Sequence, residues 1–198
     1  MPQTLAPILD APEQTPGRIR WTRAQCEAIR EAGVLTGRYE LIDGEIISRM
    51  GQNPPHATGI GNLLEWLSQV FGISCVRVQL TIEVGEADPD HNEPEPDVAV
   101  TRLPRRAYSE RHPGPGDLLL VAEVSSSTLR FDRVKKAALY ALAGIREYWV
   151  LDLNGGRLLV HRQPSPNGYL EIIAYGADES ASTLARPEAS VRVGDLLA

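Results

Sequence analysis

The sequence predicts an α/β (α+β) domain in which a mixed central β-sheet is flanked by helices. Three observations predict this class. The chain has 198 residues, 42% of them hydrophobic, and this suits one domain with a sizeable core. The predicted elements follow the order helix, hairpin, helix, strands, helix, strands. The apolar stretch at 118–124 is short and dense enough to be a buried strand.

The N-terminal segment is predicted to form an arm followed by a helix. Residues 1–18 are rich in Pro, Gln and Thr, which is typical of a flexible arm. We expect residues 19–198 to form a single domain. Thr22 and Gln25 have the spacing of a capping box at the start of a helix, and Gly33 would end that helix.

A hairpin, a second helix and a strand are predicted next. In 39–48, Asp43-Gly44 favours a tight turn between two alternating strands. The segment 56–71 has apolar residues at helical spacing, and 76–84 alternates apolar and polar residues as a strand does. The apolar face of the predicted helix comprises Ile60, Leu63, Leu64, Leu67 and Phe71.

The second half predicts the rest of the sheet. A short strand follows Pro96 at 97–100, and the apolar strand 118–124 comes next. A helix is predicted over 132–143, with Gly144 as its stop. Turn residues then separate three predicted strands, 147–153, 157–163 and 169–175.

Charge is unevenly distributed along the chain. The formal net charge is −6, and 86–97 contributes six acids without a base, so 20 acids and 20 bases remain elsewhere. The segment 102–146 has nine bases against four acids. Strong attraction of the whole protein to nucleic acid is therefore not expected, although a basic face is compatible with this distribution.

Several classes of protein do not fit the sequence. The two cysteines, Cys26 and Cys75, form neither a disulfide framework nor a zinc pattern. No stretch approaches 18 consecutive apolar residues, and the N-terminus lacks a secretory signal pattern. We therefore expect a soluble, cytoplasmic protein without a membrane partner.

Glu123 interrupts the apolar strand and needs an explanation. A carboxylate buried in such a strand costs several kcal/mol unless it is compensated. Glu123 would escape that cost if the strand lay at a sheet edge. Alternatively, Glu123 and Asp97 converge from neighbouring strands. Two carboxylates about 4 Å apart repel by about 4 kcal/mol at an effective dielectric constant near 20, and a divalent cation held by both would remove the repulsion.

The two lysines also stand out, because the chain has 18 arginines. A lysine in such a chain indicates that a compact ammonium is wanted rather than a planar guanidinium. Asp132, Lys136 and Tyr140 lie near one helical stripe, whereas Lys135 lies about 100° away and is expected to face solvent. The alternative is that Asp132 and Lys136 form an ordinary exposed pair worth about 0.3 kcal/mol.

Taken together, three segments resemble a known family. They are PEPDVAV (94–100), LVAEVSSST (120–128) and FDRVKKAALYALAGIREYWVLDL (131–153). This ordered set is similar to the bacterial Uma-two family, whose members are classed as restriction endonucleases of the PD-(D/E)XK nuclease superfamily. The early segment YELIDGEI (39–46) also matches, and the resemblance covers roughly residues 20–197.

The resemblance implies a restriction-endonuclease-like core and a set of site residues. Pro96-Asp97 would be the "PD", and Glu123 would be the acid of "(D/E)XK". The chain departs from the short motif because Ser125 stands where the lysine is expected. In this family the lysine is displaced onto the next helix, which implies Lys136. Glu40 would be the acid contributed by the early segment.

The implied activity is hydrolysis of phosphodiester bonds, with double-stranded DNA as the expected partner. Asp97, Glu123 and the carbonyl of Val124 would hold Mg²⁺ or Mn²⁺. Lys136 would orient or help deprotonate the attacking water, or stabilise the transition state. A homodimer would suit cleavage of two strands.

From the sequence alone, the roles of two residues stay open, and two alternative functions remain. Tyr140 would position Lys136 or belong to the core, and His56 would be catalytic or structural, with a structural role favoured. One alternative function is an inactive nuclease fold that binds nucleic acid or a protein. The other is a structural subunit that is active only within a larger assembly.

Overall fold

The computed structural model describes residues 19–49, 51 and 53–197, so the predicted arm at 1–18 lies outside the described residues. A six-stranded sheet forms the centre, with strand order β3-β4-β5-β6-β7-β8. Only β5 and β6 pair in parallel, and every other neighbouring pair is antiparallel. The predicted mixed sheet is therefore confirmed. Its strands are β3 Val76–Val78, β4 Val98–Thr101, β5 Leu118–Ser125, β6 Glu147–Asp152, β7 Arg157–Ser165 and β8 Gly168–Gly176.

Helices cover both faces of this sheet. On one face, α2 (Pro54–Phe71) and α5 (Val193–Leu196) bury a core that includes Leu63 and Trp149. On the other face, a continuous helical segment packs against Val121 and its neighbours. This segment consists of α3 (Leu129–Phe131), a π-helical turn (Asp132–Lys136) and α4 (Ala137–Leu142).

The remaining elements are short. Helix α1 (Arg23–Glu31) has the predicted capping box between Thr22 and Gln25. None of the helices in the described part of the chain has the length and hydrophobicity needed to span a membrane. Single 3₁₀ turns occur at Ile73–Cys75, Pro89–His91, Arg105–Tyr108 and Pro115–Asp117.

Two antiparallel pairs stand apart from the central sheet. The predicted hairpin is confirmed as β1 (Tyr39–Ile42) and β2 (Glu45–Ser48), and its turn residues have positive φ angles. A bridge between Leu41 and Glu93 fastens it to the loop before β4. The second pair, β9 (Ser180–Thr183) and β10 (Arg186–Arg192), was not predicted from the sequence.

The predicted strand at 76–84 is wrong beyond Val78. Gln79 has a φ of 51°, which ends the extended backbone. Its amide then donates to the carbonyl of Asp97 at 3.1 Å, so the chain turns away from the ladder. Leu80, predicted on the buried side, is consequently 48% exposed.

The predicted helix at 132–143 starts earlier and has a wider turn than expected. The helical backbone begins at Leu129. In the π-helical turn, the amide of Ala137 donates to the carbonyl of Asp132, five residues earlier. The Tyr148 hydroxyl donates to the same carbonyl at 3.1 Å. The predicted stop is confirmed, because Gly144 has a φ of 76° directly after the helix.

Close packing fixes the first turns of α2 against the sheet. Gly59 faces β5 and β6, where an added Cβ would lie 3.0 Å from a methyl group of Val124 and 3.4 Å from Leu151. Gly61, in the same helix, is exposed and has nothing within 4 Å of that position. The helix therefore lies so close to this end of β5 that even a methyl group at residue 59 would crowd Val124.

We expect Gly59→Leu to destabilise the protein by about 1–3 kcal/mol, because the leucine overpacks the contact between helix and sheet. Gly61→Leu is the matched control and should stabilise by about 0.5–1 kcal/mol through helix propensity alone. Urea unfolding of both variants measures the difference. Equal stabilisation by the two substitutions would contradict the packing described here.

Candidate active site at the ends of β4 and β5

Asp97 and Glu123 meet at one end of the central sheet. The antiparallel pair β4–β5 places Val98 opposite Ala122, so the residues next to this pair are also neighbours. The amide of Asp97 lies 3.3 Å from Oε2 of Glu123, and both residues are 3% exposed. Because β5 is an inner strand, the alternative of a solvent-facing Glu123 at a sheet edge is excluded.

Both carboxylate oxygens of Asp97 accept hydrogen bonds. Oδ2 accepts from the amide of Val124 at 2.9 Å and lies 3.2 Å from Nε2 of His56. Oδ1 accepts from Arg49 at 2.8 Å and from Gln79 at 3.3 Å. Burial opposes the ionisation of Asp97, but its hydrogen bonds with His56 and Val124 outweigh burial and lower its pKa to about 2. Asp97 is therefore a carboxylate at neutral pH.

The ammonium group of Lys136 lies between two other carboxylates. Its Nζ is 2.8 Å from Oε1 of Glu123 and 2.9 Å from Oε1 of Glu40. Burial disfavours the charge, but these carboxylates outweigh it and raise the pKa of Lys136. Lys136 is 3% exposed, so the alternative of an exposed ion pair with Asp132 is excluded. The side chain of Lys135 is 44% exposed, as predicted.

Tyr140 contacts Glu123 rather than the lysine. Its hydroxyl group donates to Oε1 of Glu123 at 3.1 Å, and the tyrosine is fully buried. Burial raises the pKa of Glu123 well above its usual range, against the opposing effect of Lys136. The ionised form of Glu123 therefore depends on the neighbouring ammonium group of Lys136.

The separate hairpin contributes Glu40 and the residue that follows it, Arg49. Oε1 of Glu40 accepts from the amide of Glu95 at 2.7 Å as well as from Lys136. Arg49 bridges Glu40 at 3.2 Å and Asp97 at 2.8 Å, and it also donates to the carbonyl of Glu95. The hairpin is thus attached to the central sheet through charged side chains.

Asp132 completes the group from the π-helical turn. Its Oδ2 accepts from the hydroxyl groups of Ser125 and Thr128, both at 2.7 Å. Burial raises the pKa of Asp132, while Lys136 and these hydroxyl groups oppose the shift. Ser125 therefore holds an acid of the neighbouring helix from the position where the short motif would place a lysine.

The charges of this group do not cancel. We call it the carboxylate cluster; it comprises four acids and two permanent cations, Glu40, Asp97, Glu123, Asp132, Arg49 and Lys136. With every acid ionised, two negative charges remain uncompensated in a buried setting, which is costly. Carboxylate oxygens and an excess of two negative charges suit a divalent cation. Among the described residues, no three His, Cys, Asp or Glu side chains are already arranged as ligands, so binding would shift side chains that now contact the acids.

An open cleft of about 530 Å³ lies beside the carboxylate cluster. It gives solvent and ligands access to Glu123 and Lys136, although both are almost fully buried. Its other lining residues are largely polar and include Arg38, Asn53, His56, Gln79, Ser126, Ser127 and Thr128. A polyanionic ligand would meet hydrogen-bond donors along this wall.

Sequence reasoning brought Asp97, Glu123, Glu40 and Lys136 to one place, and the structure has them together. It missed Arg49, since one arginine among 18 carries no signal of its own. A structural role was favoured for His56, whose ring lies against Asp97. The only available signal was the position of the histidine just after Pro54-Pro55, where a helix begins.

Comparisons with known proteins point in one direction. A family model described as "Putative restriction endonuclease" matches residues 35–194. A crystal structure from Anabaena variabilis ATCC 29413, described as a "putative nuclease", is similar with a TM-score of 0.61. The two sequences are 17% identical over 85% of this chain and 96% of that chain, so the likeness concerns the fold. No curated protein has a significant sequence match.

We expect Lys136→Met to lower the free energy of unfolding by about 3–5 kcal/mol, because it leaves buried carboxylates without their cation. Lys135→Met is the adjacent control and should change stability by less than about 0.5 kcal/mol. Guanidinium unfolding compares the two. Adding Glu123→Gln to Lys136→Met should recover part of the loss. A double variant as unstable as the single one would contradict the charge pairing.

Proposed function

The chain belongs to the Uma2 family, whose description is "Putative restriction endonuclease", and from this premise we propose that it is a metal-dependent endonuclease that hydrolyses phosphodiester bonds in DNA. One observation carries the proposal. Asp97, Glu123 and Lys136 come from a strand start, a strand end and a helix, yet they gather in one buried cluster beside an open cleft. Stability alone does not require this arrangement, because buried ion pairs contribute little to it.

Proteins related to restriction endonucleases usually require a divalent metal ion. In this chain Asp97, Glu123 and the carbonyl of Val124 would hold the ion, which we propose to be Mg²⁺ or Mn²⁺, and Glu40 would support the site through Lys136. The bound ion would lower the pKa of a water molecule and offset charge on the phosphate. The surplus of carboxyl groups over cations in the carboxylate cluster supports this assignment, because a divalent cation would favour the ionised form of Glu123.

Lys136 would act as a hydrogen-bond donor rather than as a base. Its ammonium group is flanked by Glu40 and Glu123, and its raised pKa keeps it protonated at neutral pH. A protonated lysine cannot accept a proton from water. It can orient a water molecule or stabilise the negative charge that develops on the phosphoryl oxygens.

The cleft would take the nucleic acid. The hydroxyl groups of Ser126, Ser127 and Thr128, with Asn53 and Arg38, line its wall and suit contacts to backbone phosphates. Double-stranded DNA is the proposed substrate, and a homodimer would allow both strands to be cut. Because the formal net charge is −6, non-specific affinity for DNA should be weak.

A second candidate function is a nuclease fold that binds nucleic acid or a protein without cleaving. One observation favours it: Oδ1 and Oδ2 of Asp97 and Oε1 of Glu123 already contact cationic side chains or other donors. In that case the cations would take the place of the metal permanently. Metal binding separates the two functions.

We expect calorimetric titration with Mn²⁺ to show one site in the wild type. Asp97→Asn and Glu123→Gln should each weaken binding at least about tenfold, because each removes a negatively charged ligand. Asp178→Asn is the control, since the side chain of Asp178 is 93% exposed and pairs only with Arg192 in the described structure. Circular dichroism confirms that each variant is folded.

Asp97→Asn and Glu123→Gln should each lower the rate of DNA cleavage by at least about 100-fold under single-turnover conditions with Mn²⁺, because the ion would supply both the nucleophile and charge stabilisation. Asp178→Asn should cleave like the wild type. A mixture of plasmid and random-sequence duplexes avoids dependence on one target. Metal binding unchanged in both variants would refute the site assignment. A wild type that binds neither Mn²⁺ nor Mg²⁺, with or without DNA, would establish the non-cleaving alternative.

A further inference from the structure

His56 is held at the mouth of the site by the way α2 begins. The Asn53 side chain caps the helix by accepting from the amide of His56 at 3.0 Å, and Pro54-Pro55 form the first helical positions. Gly59, one turn later, keeps the helix close to Val124. The ring of His56 therefore belongs to a rigid helix start that packs directly on the end of β5.

The ring contacts the same oxygens that would bind the ion. Its Nε2 lies 3.2 Å from Oδ2 of Asp97, and the ring also forms a hydrogen bond with the backbone of Val124. A donor shared between a carboxylate and a backbone carbonyl points at the place where a cation could contact both. The distance is also suitable, because two ligands about 2.1 Å from one ion at a right angle are about 3.0 Å apart.

A purely structural role leaves part of this arrangement unexplained. Nδ1 of His56 is buried and has no hydrogen-bond partner in the described structure, whereas buried polar atoms are nearly always paired. Nothing therefore anchors a proton on Nδ1: the ring carries its proton on Nε2 when that nitrogen donates to Asp97, and would carry it on Nδ1 when Nε2 binds an ion. The side chain is 18% exposed and lines the cleft, so an ion that enters the cleft can reach Nε2.

From these contacts we infer that His56 is a ligand of the divalent cation, and that its imidazole gives the site a preference for transition ions such as Mn²⁺ and Co²⁺ over Mg²⁺. This inference rests on the proposed function. Mg²⁺ favours a shell of oxygen atoms and retains several water molecules, whereas imidazole is a better ligand for later first-row ions. The site would then combine Asp97, Glu123, the Val124 carbonyl and one nitrogen.

The test compares His56→Gln with His91→Gln. Glutamine at position 56 keeps a donor for Asp97 but removes the imidazole nitrogen. His91 is the matched control, because it lies in the acidic loop and pairs with Asp88. We expect His56→Gln to weaken Co²⁺ binding by about 10–100-fold and Mg²⁺ binding by less than about threefold, measured by calorimetry at pH 8. The control should match the wild type.

Pulsed electron paramagnetic resonance gives a readout that does not depend on affinity. Mn²⁺ bound to the wild type should show coupling to a ¹⁴N nucleus, and the coupling should be absent from His56→Gln. A bound ion without nitrogen coupling, whose affinity still depends on Asp97 and Glu123, would overturn the role of His56 and leave the proposed function intact. A wild type that binds none of the three ions would overturn both.

Discussion

Glu123 places a negative charge inside an apolar sheet, and charge from several other elements is needed to make that position tolerable. Lys136 reaches it from the helical segment behind the sheet, while the Tyr140 hydroxyl binds the same oxygen. Each charged partner is itself buried and therefore needs an opposite charge or a hydrogen-bond donor of its own. Lys136 contacts Glu40, and Glu40 contacts Arg49. Arg49 in turn contacts Asp97. The result is a continuous network of ion pairs and hydrogen bonds around the end of β5.

This network adds charged contacts to an apolar one, because Ile42 and Ile47 of the hairpin already pack in the same hydrophobic cluster as Val121. The β1–β2 hairpin forms a sheet of its own, yet Glu40 and Arg49 attach it to the strands that carry Asp97 and Glu123. Such a network contributes little to the free energy of folding, since well-packed apolar side chains would stabilise the protein as well or better. Its position beside a cleft, with four carboxyl groups against two permanent cations, is better explained by chemistry at this site.

Much of the site was predictable because its residues depart from the pattern of the sequence around them. An acid within an apolar strand, an acid after Pro96 and a lysine in an arginine-rich chain are all visible without coordinates. The helical periodicity of α2 and the dense apolar run of β5 were equally visible. The contribution of Arg49 was not, because it depends on how the hairpin packs rather than on any local pattern. The turn at Gln79 was also hidden, since the residues beyond it keep the alternation of a strand although tertiary hydrogen bonds bend the chain.

The π-helical turn has a consequence for the placement of Lys136. A hydrogen bond that spans five residues, such as that from Ala137 to the carbonyl of Asp132, encloses one residue more than a regular helical turn needs. Tightening this turn to α-helical spacing would pass the extra residue into α3 or α4 and shift the register of that helix. Tightening would rotate Lys136 about the helix axis and withdraw its ammonium group from Glu123. Within the described chain, the position of the cation beside the buried acid thus depends on the wide turn, which the Tyr148 hydroxyl holds at the carbonyl of Asp132.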